Sequence, residues 1–167
     1  MTAATAQADD RAGLLALVSA YARCVDGRDY DGLARLFAPA SRVGKFEGPR
    51  ADPGPGYWRD GGEPFAASVR ANHARYRITT HHLGQHTSIL RGDRADGETY
   101  CLAHHVYSRE SRWMNRVMAI RYLDAYARGP EGWLFAERQI FVDWIEFRPM
   151  GSVPTSTGWQ PAGPAGL

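Results

Sequence analysis

The chain has 167 residues, 44% hydrophobic and 11% aromatic, with 20 Lys+Arg against 18 Asp+Glu for a formal net charge of +2. A chain that long buries roughly 68–70% of its unfolded surface, enough for one core without staples. No apolar run reaches the roughly 18 residues of a membrane span, the stretch Met1–Asp10 has no leader pattern, and the arginines are dispersed, so membrane and nucleic acid are disfavoured as partners and a soluble cytoplasmic protein is expected.

Leu14, Leu17, Val18, Tyr21 and Val25 recur at helical spacing, with Asp9 or Asp10 as N-cap and Gly27 as C-cap. A second helix is predicted over Tyr30–Phe37, before Pro39, and a strand around Arg42–Phe46. The Pro- and Gly-rich stretch Gly48–Gly62 reads as a loop without regular structure that carries Tyr57 and Trp58 over an opening. Proline in a first turn opens a third helix, Pro64 to about Tyr76. Four long β segments follow: Thr79–Leu90, Gly97–Ser108, Arg112–Arg128 and Gly132–Phe147, separated by Gly92-Asp93, Arg109–Ser111 and Gly129-Pro130. Three helices and then a meander make an α+β chain. Residues 1–148 form the expected single domain, and 149–167, rich in Pro and Gly and carrying Trp159, an extended arm.

Two distant cysteines, Cys24 and Cys101, support neither a disulfide framework nor a zinc site and read as small buried hydrophobes. Lys45, the only lysine, reads as a product of coding composition. The densest chemical signal is Thr79-Thr80-His81-His82-Leu83-Gly84-Gln85-His86. In a regular strand residues 82 and 86 share a face but stand about 13 Å apart, and His81 faces the other way, so no metal is expected. A metal would need His104 or His105 with a carboxylate, and no such spacing is visible.

A histidine base needs a partner that fixes its tautomer, and Asp26, at the end of an apolar helix where the dipole disfavours it, is the best candidate. The same residues also fit a solvated turn aspartate and a satisfied core histidine. Tyr21 lies about 140° from Asp26 round a regular helix and shares a cavity with it only if the helix unwinds there. Arg121 and Asp124 lie on opposite faces of one strand, as do Arg138 and Asp143, and each fits a pocket group or half of an ion pair. The substrate-contact candidates are Tyr57, Trp58, His104, Arg121 and Trp144.

The segments Tyr21-Ala-Arg-Cys-Val-Asp26, His82-Leu83-Gly84-Gln85-His86, Gly92-Asp93-Arg94-Ala95, Arg121-Tyr122-Leu123-Asp124 and Gly132-Trp133 before Arg138 and Asp143-Trp144 resemble the nuclear transport factor 2-like superfamily. Within it they are similar to SnoaL-like enzymes related to scytalone dehydratase and bile-acid dehydratases. The resemblance implies a cone-shaped α+β barrel, three N-terminal helices packed on a strongly curved, mainly antiparallel sheet. It also implies a catalytic set of Tyr21, Asp26 and His82, with His82 preferred because the family's histidine stands two residues before the glycine that is Gly84 here. The implied activity is a cofactor-independent lyase, a dehydratase acting on an apolar cyclic or polycyclic molecule. The alternatives are an isomerase or aldol-type cyclase, or a non-catalytic binding or assembly subunit. The family expectation is a homodimer or homotrimer, without metal or organic cofactor.

Overall fold

The computed structural model describes residues 2–153, so Trp159 and the rest of the arm from 154 onward lie outside the described residues. Its elements are α1 (Ala3–Gly27), α2 (Tyr30–Arg35), β1 (Phe37–Glu47), β2 (Gly56–Asp60), α3 (Gly62–His73), β3 (Ile78–Arg91), β4 (Arg94–Arg109), β5 (Arg112–Gly129) and β6 (Gly132–Pro149). The six strands form one sheet in the order β2-β1-β6-β5-β4-β3. Only the β1–β6 pair is parallel. The expected architecture of three helices on a curled, mostly antiparallel sheet is present. No helix of the described residues is long and apolar enough to cross a membrane.

The apolar stripe of α1 fixes how the layers meet. Leu14 and Val18 are fully buried, and Leu17, Tyr21 and Val25 nearly so, in one cluster with Phe37 and Phe65 and with Tyr122, Tyr126, Phe135 and Ile140 of the sheet. Each such side chain contributes about 1.5–3 kcal/mol by leaving water. The stripe begins earlier than its apolar residues suggest. Thr2 caps the helix, accepting the Thr5 N–H, and Asp10 instead accepts from Arg128 (2.6 Å) and from Trp133 Nε1 (3.2 Å).

At the other end Gly27 remains helical and Arg28 takes the left-handed conformation (φ 59°). A non-glycine residue there is strained. The guanidinium offsets that strain by donating to the carbonyls of Tyr76 (2.7 Å) and His73 (3.4 Å), which ties the end of α1 to the end of α3.

The stretch expected to lack regular structure holds the edge strand β2, whose residues Gly56–Asp60 pair antiparallel with Arg42–Phe46 of β1. Proline and glycine build only the turn before it, where Gly48 (φ 109°) donates to the Val142 carbonyl and Gly54 to that of Glu47. An edge strand tolerates such neighbours because half of its backbone groups need no ladder partner. The start of the C-terminal arm is packed: Val153 is buried beside Val106 and Trp113, and the Met150 N–H donates to the Trp113 carbonyl.

Strand β3 carries a one-residue bulge. Leu83 pairs with Cys101 but the next partners are His86 and Thr99, three residues on against two. Side chains alternate faces along a strand, so one extra residue exchanges the faces beyond it. Thr79, His81 and Leu83 face the helices before the bulge, and His86 and Leu90 after it.

Candidate active site

Alternation on β3 places His81 on the concave face, opposite Ala103 of β4, where the C-terminal end of α1 passes over the sheet. Asp26 meets it there. Its Oδ1 lies 2.7 Å from His81 Nδ1, and its Oδ2 accepts the His81 backbone N–H at 2.7 Å. Both carboxylate oxygens thus bind the same residue, which fixes the carboxylate and the imidazole together. Burial alone would push the Asp26 carboxyl up. The ring and backbone hydrogen bonds of His81, the electrostatic attraction of its ring, and a hydrogen bond from Thr79 together hold it below the usual carboxylate range. An ionised acceptor requires a donating Nδ1–H, so the lone pair of His81 is on Nε2.

His81 lines a cavity of about 710 Å³ between α1, α3 and the concave face. Val25, Phe65, Val69, Met118, Ile120 and Ile140 supply apolar wall. Tyr21 faces the same space from a regular helical turn, with Arg138 4.0 Å above its ring, and burial raises its phenol to about 12. Helix α1 stays regular through Asp26, and accordingly Asp26 does not share the cavity with Tyr21 but reaches His81 from outside its lining.

His105, its ring 5.8 Å from that of His81, is the second imidazole of the wall. Burial, then the nearby His81 and Arg116, depress it to about 3, and its Nδ1 has no hydrogen-bond partner among the described residues. His105 is therefore neutral at physiological pH. His73, hydrogen-bonded to the Tyr30 hydroxyl at 3.2 Å, is also lowered, chiefly by burial.

The structure separates the rest of the expected set. His82 is exposed on the convex face beside Tyr100, Leu102 and Asp143, so the expected Asp26–His82 pair does not form and Asp26 pairs with His81. One residue decides the face of a strand, and a motif aligned on Gly84 lands one residue off. His104 is likewise on the convex face, hydrogen-bonded to Asn115 at 2.9 Å, while His105 takes the inward position. Arg121 is held outside the cavity by Asp143 and Glu98, and Trp144, 49% exposed, is on that outer surface too. Of the aromatic pair, Tyr57 lines the cavity. Trp58, opposite Gly44, points the other way and packs on Phe46 and under the Arg42 guanidinium. Arg138 and Asp124 form a fully buried pair (2.7 Å) on the concave side. Among the described residues no three His, Cys, Asp or Glu side chains converge as a metal site would require.

Residues 6–139 match the SnoaL-like domain, more than two thirds of the chain. The chain belongs to that family. No curated protein is a significant match to its sequence. Among solved structures, the Kfla4162 protein of Kribbella flavida is similar with a TM-score of 0.71 at 20% identity, over 84% of this chain and 95% of that one. A candidate scytalone dehydratase of Novosphingobium aromaticivorans gives 0.71 at 17% identity over 96% of both chains. The hexachlorocyclohexane dehydrochlorinase LinA-type3 of Novosphingobium barchaimii gives 0.66 at 17%, over 88% and 94%. At such identities these neighbours speak for the fold.

Several residues of this SnoaL-like domain's cavity are not legible as such in the sequence, His105 and Lys45 among them. The pattern Cys101, Ala103, His105, small and apolar at every second position, was the available signal for the first. For Lys45 it was the alternation Val43, Lys45 on β1, which faces Tyr57 and Arg59 of β2.

Proposed function

We propose that this SnoaL-like domain is a cofactor-independent lyase that removes a proton next to a carbonyl of a cyclic substrate, with His81 as the base. The observation that carries the reading is the 2.7 Å contact of Asp26 with Nδ1 of an imidazole on the wall of a cavity whose inner lining includes Val25, Phe65, Val69, Met118, Ile120 and Ile140. A base must become charged, and Asp26 stabilises the imidazolium that forms while holding the ring so that Nε2 meets the substrate. Tyr21, kept protonated by burial, supplies an O–H to the carbonyl oxygen as negative charge develops there. In the elimination the C–H pair becomes the new C=C bond. The leaving hydroxyl departs with the proton that His81 Nε2 took, which gives water and restores the base. His105, held neutral, gives the second polar contact of the wall without competing for that proton. The same first step serves double-bond isomerisation, so proton removal is the step to test.

The test is deuterium incorporation, followed by proton NMR in heavy water, next to the carbonyl of a cyclic ketone such as tetralone. The protein is expected to accelerate exchange, with His81→Ala reducing the catalysed rate by roughly 10²–10⁴-fold. Equal rates for the two proteins would remove His81 from the role.

A further inference from the structure

The permanently charged side chains around the cavity are of one sign. Lys45 from β1, Arg59 from β2 and Arg75 just beyond α3 all line it, and among the described residues no aspartate or glutamate does. Arginines elsewhere in the fold, such as Arg42, Arg121, Arg128 and Arg138, hold carboxylates. Lys45, Arg59 and Arg75 have no ion pair among the described residues. Arg59 rests on the Tyr57 ring (4.7 Å) and Arg75 on Asn72 and the Tyr76 ring, which orients both without neutralising them.

Lys45 is half-buried, and no hydrogen bond of its ammonium is present among the described residues. Burial, then the positive charge of Arg116, lowers its affinity for a proton; Glu47 opposes this in part, and Arg75 adds a smaller lowering. A cation set partly dry among other cations is costly by itself, and a bound anion removes that cost. Compact ammonium and planar guanidinium together suit a carboxylate.

We propose that the substrate of this cavity carries an ionised carboxylate on its ring system, held at the mouth by Lys45, Arg59 and Arg75 while the apolar wall takes the ring. This rests on the lyase reading for which atoms react, but not for binding. Anchoring the carboxylate at the mouth sets the depth of the ring, and hence which C–H meets His81 Nε2.

Binding by isothermal calorimetry tests it with two probes of the same shape, naphthoate and its methyl ester. The full chain is expected to bind the carboxylate at least tenfold more tightly than the ester. Lys45→Met should remove most of that preference while leaving ester affinity within about twofold, and Arg59→Met with Arg75→Met should each reduce it in part. His81→Ala should keep the preference. An ester bound as tightly as the acid, or a preference unchanged in all three cation variants, overturns the anionic substrate whatever the ketone exchange shows. A carboxylate preference without His81-dependent exchange overturns the lyase reading and leaves the carboxylate site standing.

Discussion

His81 and His86 both face inward from β3, yet they occupy opposite chemical situations. His81 has a carboxylate on one nitrogen and a cavity before the other. His86 has a neutral partner, the Thr99 hydroxyl at 2.8 Å, and its Nε2 is buried without a partner among the described residues. Burial lowers the His86 pKa, and Arg138 cancels part of what Asp124 would return. Asp124 is already committed to Arg138 (2.7 and 2.8 Å) and the Tyr126 hydroxyl (2.9 Å). An inward imidazole becomes a base only where a carboxylate is free to share its charge. One end of the concave face therefore carries a carboxylate-paired imidazole beside a cavity, and the other an imidazole bonded to a neutral hydroxyl.

The largest test of that contrast is at the His86 end. Arg138 is fully buried among Tyr21, Tyr122 and Phe135, so Asp124→Ala leaves a buried charge uncompensated. A loss of about 3–5 kcal/mol in urea unfolding is expected. A loss under about 1 kcal/mol would mean that the pair is not what holds this end closed.

Acid sharpens the comparison next. His73, His86 and His105 all have folded pKa values below the ordinary histidine value of 6.5, His105 near 3. The unfolded chain therefore takes up protons first. Their contribution is fully present above about pH 6.5 and is lost as pH falls, for His105 down to about 3. Each such group gives a slope of up to about 1.4 kcal/mol per pH unit. Unfolding free energies measured between these limits should show it, and His105→Phe, which keeps a ring in place, should flatten it by about one group's share. An unchanged slope would show that His105 is not held neutral.

The smallest effect is expected outside. His82→Ala, on the convex face, should change both stability and ketone exchange by less than about 0.5 kcal/mol equivalent, measured beside His81→Ala. A large loss on His82→Ala would return the base to the convex surface.

The fold was legible because its signals are periodic over many residues. The apolar stripe Leu14 to Val25 and the three tight turns of the meander fall where expected. What was not legible depends on single residues. His81 and His82 differ only in parity, and parity is set by pairing with β4, which no local pattern records. The bulge after Leu83 adds to this, since in a regular strand His86 would share a face with His82 and not with His81. Lys45 passed for composition because its meaning lies in Tyr57 and Arg59 across β2, a strand hidden behind prolines. Asp26 was legible, because a carboxylate at the C-terminal end of an apolar helix calls for a partner.

The bulge in β3 has one more effect, on how this protein can change over generations. It acts as a joint in the bookkeeping of inside and outside, so the segment Ser88–Arg91 with its hairpin to β4 keeps its own alternation, separate from that of Thr79–Leu83. Insertions or deletions that resolve at the joint rewrite the distal half of the strand while the His81 half keeps its phase. The end that carries the Asp26–His81 pair can in this way be inherited intact while the far end of the sheet is lengthened, shortened or repacked.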